Sequence, residues 1–218
     1  MYAPKQFRED RREVLLAAIE AIRFGTLILS GETGPEASHL PMLLREDGDT
    51  LVIECHVAVG NPLWKLASTG TGGLAIFQGP QAYMHPGWLE TKRTTGKVVP
   101  TWNYIAVHVH GSLSSIRDPE WLRRHVEDLT AFNEAGRPEP WAVSDAPDDY
   151  IKAQLRGIMG IRLEVGRIEG VWKLMQHHPE ANRLGVIAGL SESGDADDRA
   201  LAAEMRSLED SRKAGVRA

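Results

Sequence analysis

GKVVPTWNYIAVHVHG, residues 96–111, reads as a glycine-lysine turn, a proline and then one uninterrupted strand. Side chains alternate sides along a strand, so Trp102, Tyr104, Ala106, His108 and His110 share one face, and Asn103, Ile105, Val107 and Val109 share the other. The second face is aliphatic and belongs in a core. The first carries two aromatic rings and two imidazoles, too large and too polar for ordinary exposure, and predicts a surface covered by a subunit, a planar ligand or both.

Working outward, residues 112–116 continue this strand past Gly111, while residues 73–78 and 81–84 are strand-like and split by Gly79-Pro80. Further upstream, residues 26–30, 37–44 and 50–55 are joined by glycine-rich turns and predict an antiparallel meander. Downstream, residues 158–168 form a strand closed by Glu169-Gly170, with residues 171–175 as its hairpin partner. Helices are few. Asp10 and Glu13 have capping-box spacing ahead of an apolar stripe ending at Ile22, and Asn61-Pro62 opens a short helix that stops near Gly70. Asp118-Pro119 caps a helix with Leu122, Val126, Leu129 and Phe132 on one face; residues 148–156, 179–187 and 195–205 follow as helices. Residues 207–218 hold few apolar side chains and read as a mobile tail. The class is mainly β with helices (α+β): a small antiparallel β-barrel over residues 1–190 and a C-terminal helical extension with its tail over 191–218.

Composition narrows the function classes. The 218 residues are 42% hydrophobic and 25% charged, and no apolar run is long enough to cross a bilayer. The single cysteine, Cys55, excludes an internal disulfide, and residues 1–14 lack the pattern of a secretory signal, so a cytoplasmic protein is expected. With a net charge of −5 and basic residues interleaved with acids at helical spacing, direct DNA binding is not expected.

Several motifs bear on chemistry. Gly96-Lys97 resembles part of a phosphate loop, but Val98 stands where Ser or Thr would bind magnesium and Thr91 where the first glycine is needed. No glycine fingerprint of a Rossmann fold is present. Lys92, Arg93, Thr94, Thr95 and Lys97 fit two readings, a monophosphate site or a solvated basic loop. His108 and His110 project from the same side of a strand without a third ligand at a convincing spacing, which favours an interface over a metal site. His56, at a strand end before Asn61-Pro62, falls at a barrel mouth, where it either hydrogen-bonds loop backbone or faces a ligand. Ser38, Thr101 and Ser112 have no hydrolase motif around them.

Five ordered stretches carry a resemblance: SHLPMLL from Ser38, HVAVGNPLW from His56, IFQGPQAYMHPGW from Ile76, GKVVPTWNY from Gly96 and WKLMQHHPEANRLGVIAGL from Trp172. Together they resemble the PaiB-type family of FMN-binding negative transcriptional regulators, similar in fold to split-barrel flavoproteins. The family reads KLSQN where this chain has Lys173-Leu174-Met175-Gln176-His177. The resemblance implies an FMN-binding split β-barrel and a homodimer with FMN in clefts at its interface. In that arrangement the face from Trp102 to His110 meets the partner, with Trp102 among the cofactor-binding residues. Lys92 and Lys97 reach the phosphate, Ser38 and His39 line the cleft and Asn61 fixes the turn beside it. Thr101 and Asn103 meet the ring or ribityl chain, and Lys173 and Gln176 close the site. Piperazate synthases, which use haem, are similar in sequence to this family; their branch implies haem b with His56 as axial ligand. Three functions follow: an FMN-dependent redox protein acting on a small substrate, a haem protein, or a non-enzymatic, metabolite-sensing negative regulator of transcription.

Overall fold

The computed structural model describes residues 1–70 and 72–215. Among them lie eight strands: β1 (Arg8–Glu9), β2 (Phe24–Gly31), β3 (Gly34–Pro41), β4 (Leu43–Asp47), β5 (Thr50–Ala58), β6 (Gly72–Met84), β7 (Thr101–Ile116) and β8 (Ile158–Lys173). Seven helices accompany them: α1 (Arg12–Ile22), α2 (Leu63–Ala67), α3 (Glu90–Thr94), α4 (Pro119–Glu134), α5 (Asp148–Arg156), α6 (Glu180–Ser191) and α7 (Ala196–Lys213). The strands form one antiparallel sheet in the order β3-β2-β6-β7-β8-β5-β4, with β1 beside β8; the path does not close, as expected of a split barrel. Among the described residues no helix is long and apolar enough to cross a membrane.

The alternation read from residues 101–111 is present in β7. Asn103, Ile105, Val107 and Val109 are buried, whereas Trp102 is 54% exposed. The strand continues through residues 112–116 as the pattern predicts.

Five expectations are corrected. Residues 37–44 form two strands, because Met42 gives its N–H to the carbonyl of Arg23 and leaves the ladder between them. The meander is therefore absent: β3 pairs with β2 and β4 with β5, and β3 and β4 end opposite sides of the sheet path. β6 runs unbroken through Gly79-Pro80, and β8 runs unbroken through Glu169-Gly170. In β8 the short strand β1 holds the glycine extended, pairing Glu9 with Gly170 and Arg8 with Val171, so no hairpin forms there. Finally, α7 continues to Lys213 past the expected stop near residue 205, tied down by the buried Glu209; residues 216–218 of the expected tail lie outside the described residues.

The chain divides into two compact units, each discontinuous in sequence. Unit 1 comprises Met1–Arg11, Gln78–Val107 and the chain from Glu169 onward; unit 2 comprises Arg12–Phe77 and His108–Ile168. In unit 1, Val186, Ile187 and Leu190 of α6 and Leu201, Ala202 and Met205 of α7 pack with Ile105 and Leu174. Gly185 and Gly189 leave room on α6 for Trp88, since a Cβ at Gly189 would lie 2.3 Å from the indole. In unit 2, Asp118 caps α4 by accepting the N–H of Trp121 at 2.7 Å, and α4 shares an apolar cluster of Leu122, Val143, Ile151 and Leu155 with α5.

Candidate functional site

The expected site residues fall into two groups, one in each unit. In unit 2, Asn61 joins two of them: its Nδ2 donates to Ser38 Oγ at 2.9 Å while its Oδ1 accepts the N–H of Leu63 at 2.9 Å. One amide thus fixes the turn into α2 and positions the hydroxyl on β3. His39 is exposed, with Nδ1 2.9 Å from Thr26 Oγ1 on the paired strand.

His56 has a partner that sequence reasoning missed. Its Nδ1 lies 3.1 Å from Nε2 of His125, a fully buried residue of α4. Trp121 stacks on the His125 ring at 5.1 Å and 9°, and only the missing side chain of Gly160 leaves room for that indole. Burial pulls His125 down to about 3, with His56, Arg45 and Arg124 adding to the effect, and burial also lowers His56. Both rings are therefore neutral at pH 7. Nδ1 of His125 is buried without a hydrogen-bond partner; a buried, unmatched polar atom costs about 1–3 kcal/mol. The one available signal was spacing: His125 falls three residues after Leu122, on the buried face of α4.

In unit 1, Lys173 Nζ donates to Thr101 Oγ1 at 2.7 Å and lies 6.0 Å above the ring of Tyr104. No ion pair to Lys173 or Lys97 occurs among the described residues. Both lysines and Thr101 line a cavity of about 520 Å³ together with His177 and His178, and no Asp or Glu contributes to its wall. Asn182, buried at one side of it, exchanges hydrogen bonds with Thr91: Oδ1 accepts the N–H at 3.0 Å and Nδ2 donates to Oγ1 at 2.8 Å. Asn103, two residues beyond Thr101 on the same face of β7, is 1% exposed, and neither its Nδ2 nor its Oδ1 has a partner.

The remaining expectations separate. Lys97 lines the cavity, whereas Lys92 is exposed on α3 and does not. Trp102 lies edge-on to Tyr83 at 6.2 Å, both rings exposed. Gln176 spends its side chain on its own turn, accepting the Leu174 N–H at 2.9 Å and donating to the Trp172 carbonyl, where Met175 adopts φ 62°. The charge balance of unit 2 is different. A cavity of about 330 Å³ there is lined by Arg45, whose guanidinium Glu54 and Asp128 each bind at 2.6 Å, and by Arg23, which lies over the Phe132 ring, together with Glu20 and Asp128. The wall of the unit 1 cavity thus holds cations without acids, whereas the wall of this one holds both signs of charge.

Comparison with known proteins places this geometry in a family. Residues 1–167 match the model described as “Putative FMN-binding domain”. The chain is 30% identical over 205 residues to protease synthase and sporulation protein PAI 2 of Bacillus subtilis, covering 94% of this chain and 96% of that one. Its fold is similar to a FAD and haem binding protein from Mycobacterium smegmatis (TM-score 0.55, 17% identity, 76% of this chain and 73% of that one). It is also similar to a conserved hypothetical protein from Mycobacterium tuberculosis (TM-score 0.57, 13% identity, 83% and 95%). With three quarters of its length matched by the family model and a full-length relative at 30% identity, the chain belongs to the FMN-binding domain family that its motifs resemble.

Proposed function

We propose that the protein binds FMN and uses it for electron transfer with a small substrate, any effect on transcription being indirect. One observation carries this reading: the wall that holds Lys97, Thr101 and Lys173 contains no acid, and two residues along β7 from Thr101 the Asn103 amide is buried without partners. A phosphate supplies the counter-ion these lysines lack, and the polar edge of a flavin ring supplies donor and acceptor atoms for the amide. When bound, FMN supplies one- or two-electron redox chemistry. The chain's own part is to hold and orient. Lys173 and Lys97 take the anionic end, Thr101 aims the Lys173 ammonium, and Asn103 reads the ring; Ser38, His39, His56 and Asn61 form the second group of cofactor residues.

Titration of the purified protein with FMN, followed by flavin fluorescence, is expected to saturate at one equivalent per chain. Lys173→Ala should weaken FMN binding about 10- to 100-fold, the worth of a charge-assisted contact. Riboflavin, which lacks the phosphate, should bind wild type and variant alike. Unchanged FMN affinity in the variant would remove Lys173 from the site.

In the same reading the protein is a homodimer, and the exposed pair of Tyr83 and Trp102 lies on the covered face. Trp102→Glu places a charge where an interface core excludes it. Light scattering should then show a monomer at concentrations where wild type is dimeric; a monomeric wild type would sink the dimer.

A haem protein is the second reading, favoured by the described neighbour whose name includes both FAD and haem. It requires His56 to give a lone pair to iron, and a Soret band lost in His56→Ala would support it.

A further inference from the structure

We propose that His125 is a positioning residue that holds His56 in its Nε2–H tautomer, so that this site offers a neutral hydrogen-bond donor to a carbonyl or carboxylate oxygen of its ligand rather than a lone pair to a metal. Placing His56 at a ligand site rests on the reading above; its tautomer does not.

The argument is an accounting of protons. A neutral imidazole carries one N–H and one lone pair. Nδ1 of His56 and Nε2 of His125 face each other at 3.1 Å, so one must donate and the other accept. If His56 donates from Nδ1, then Nε2 of His125 is the acceptor and the proton of His125 must sit on its Nδ1. That atom is buried and unpartnered, leaving an N–H with nothing to bind. If His125 donates from Nε2 instead, its buried Nδ1 holds only a lone pair, which is better tolerated than an orphaned N–H. The second arrangement is favoured, and it puts the proton of His56 on Nε2.

The surroundings keep the pair in place. Trp121 stacks flat on His125 and gives it no in-plane acceptor, while Glu54, the buried acid of β5, is already bound by Arg45 at 2.6 Å. His56 is half-buried, and its Nε2 has no partner among the described residues, so the N–H it carries is free for a ligand.

Long-range proton–nitrogen correlation NMR on the full chain labelled with ¹⁵N-histidine, near pH 7.5 and without cofactor, tests this directly. Expected are a protonated Nε2 and bare Nδ1 on both His56 and His125. A His56 protonated on Nδ1, or an even mixture, overturns the proposal. His125→Gln supplies an amide that can turn its oxygen toward His56, so the His56 tautomers should become mixed and haemin affinity should rise about tenfold. Equal haemin affinity in wild type and His125→Gln, both lost in His56→Ala, overturns the claim that the pair disfavours metal. If His125→Gln fails to fold, the wild-type spectrum decides alone. If FMN does not bind while His56 carries its proton on Nε2, the flavin reading fails and this one stands.

Discussion

Gly111→Ala is expected to destabilise the protein by about 3 kcal/mol or more, the upper range for forcing atoms into a packed interior. A Cβ at Gly111 would lie 1.9 Å from the carbonyl oxygen of Glu164 and 2.7 Å from Cδ2 of Leu163. The nearest obstacle is the backbone of β8, not a side chain that can swing away. Relief requires β7 and β8 to part locally within unit 2, with loss of ladder hydrogen bonds on both strands. For a chain of this size the melting temperature should fall by about 6–12 °C. Thermal unfolding by circular dichroism measures it. A shift under 2 °C would mean that the two strands can separate cheaply at this point, against the close approach described here. Gly48→Ala is a useful contrast, because no atom lies within 4 Å of a Cβ there and only its φ of 60° resists the change.

Arg183→Ala should cost about 3–5 kcal/mol, as expected when one partner of a buried ion pair is removed. Arg183 donates from Nε and Nη2 to the two Glu209 oxygens at 2.5 and 2.9 Å, and both side chains are largely buried between α6 and α7. Nη1 also donates to the His178 carbonyl, so a backbone acceptor beside the cavity loses its donor as well. Arg212, 3.3 Å from Glu209, offsets part of the loss. The pairing has a pH signature. Hydrogen bonding to Arg183 holds the Glu209 carboxyl below its ordinary 4.5, burial opposing, so the folded state binds its proton less readily than the unfolded chain. The stabilisation is therefore complete above about pH 4.5 and fades as acid reaches the depressed folded value. Denaturant melts across pH 3 to 7 should show Arg183→Ala less stable at neutrality and less sensitive to acid than wild type. Parallel curves would mean that Glu209 is not the titrating partner.

Which parts of this were legible in the sequence follows from where each cause lies. The alternation of residues 101–109 is local, so it announced both the strand and the buried side carrying Asn103. The cap of α4 was equally local: Asp118 accepts the backbone N–H of Trp121, three residues ahead. The break at Met42 was hidden because its cause is a hydrogen bond to Arg23, nineteen positions away. The unbroken β8 was hidden because Glu169-Gly170 reads as a turn until β1, at the other end of the chain, pairs with it. Site residues divide the same way. Thr101 with Lys173 and Ser38 with Asn61 were named individually and are found as bonded pairs. His125 was not named, since nothing in the apolar stripe of α4 distinguishes an imidazole that packs from one that faces another imidazole 69 positions earlier.

The interleaving of the two units also sets an order of events during synthesis. Every residue of unit 2 has been translated once Ile168 is in place, whereas unit 1 still lacks its last segment. That segment contains Lys173, His177 and both helices of the unit's apolar cluster. At ordinary elongation rates, about 5–20 residues per second, the remaining fifty residues take about 3–10 s. During that interval a nascent chain has the histidine pair of unit 2 complete while the lysine wall of unit 1 is only half written. A chain truncated after residue 168 keeps every residue of unit 2 while losing the Lys173 side of the unit 1 cavity.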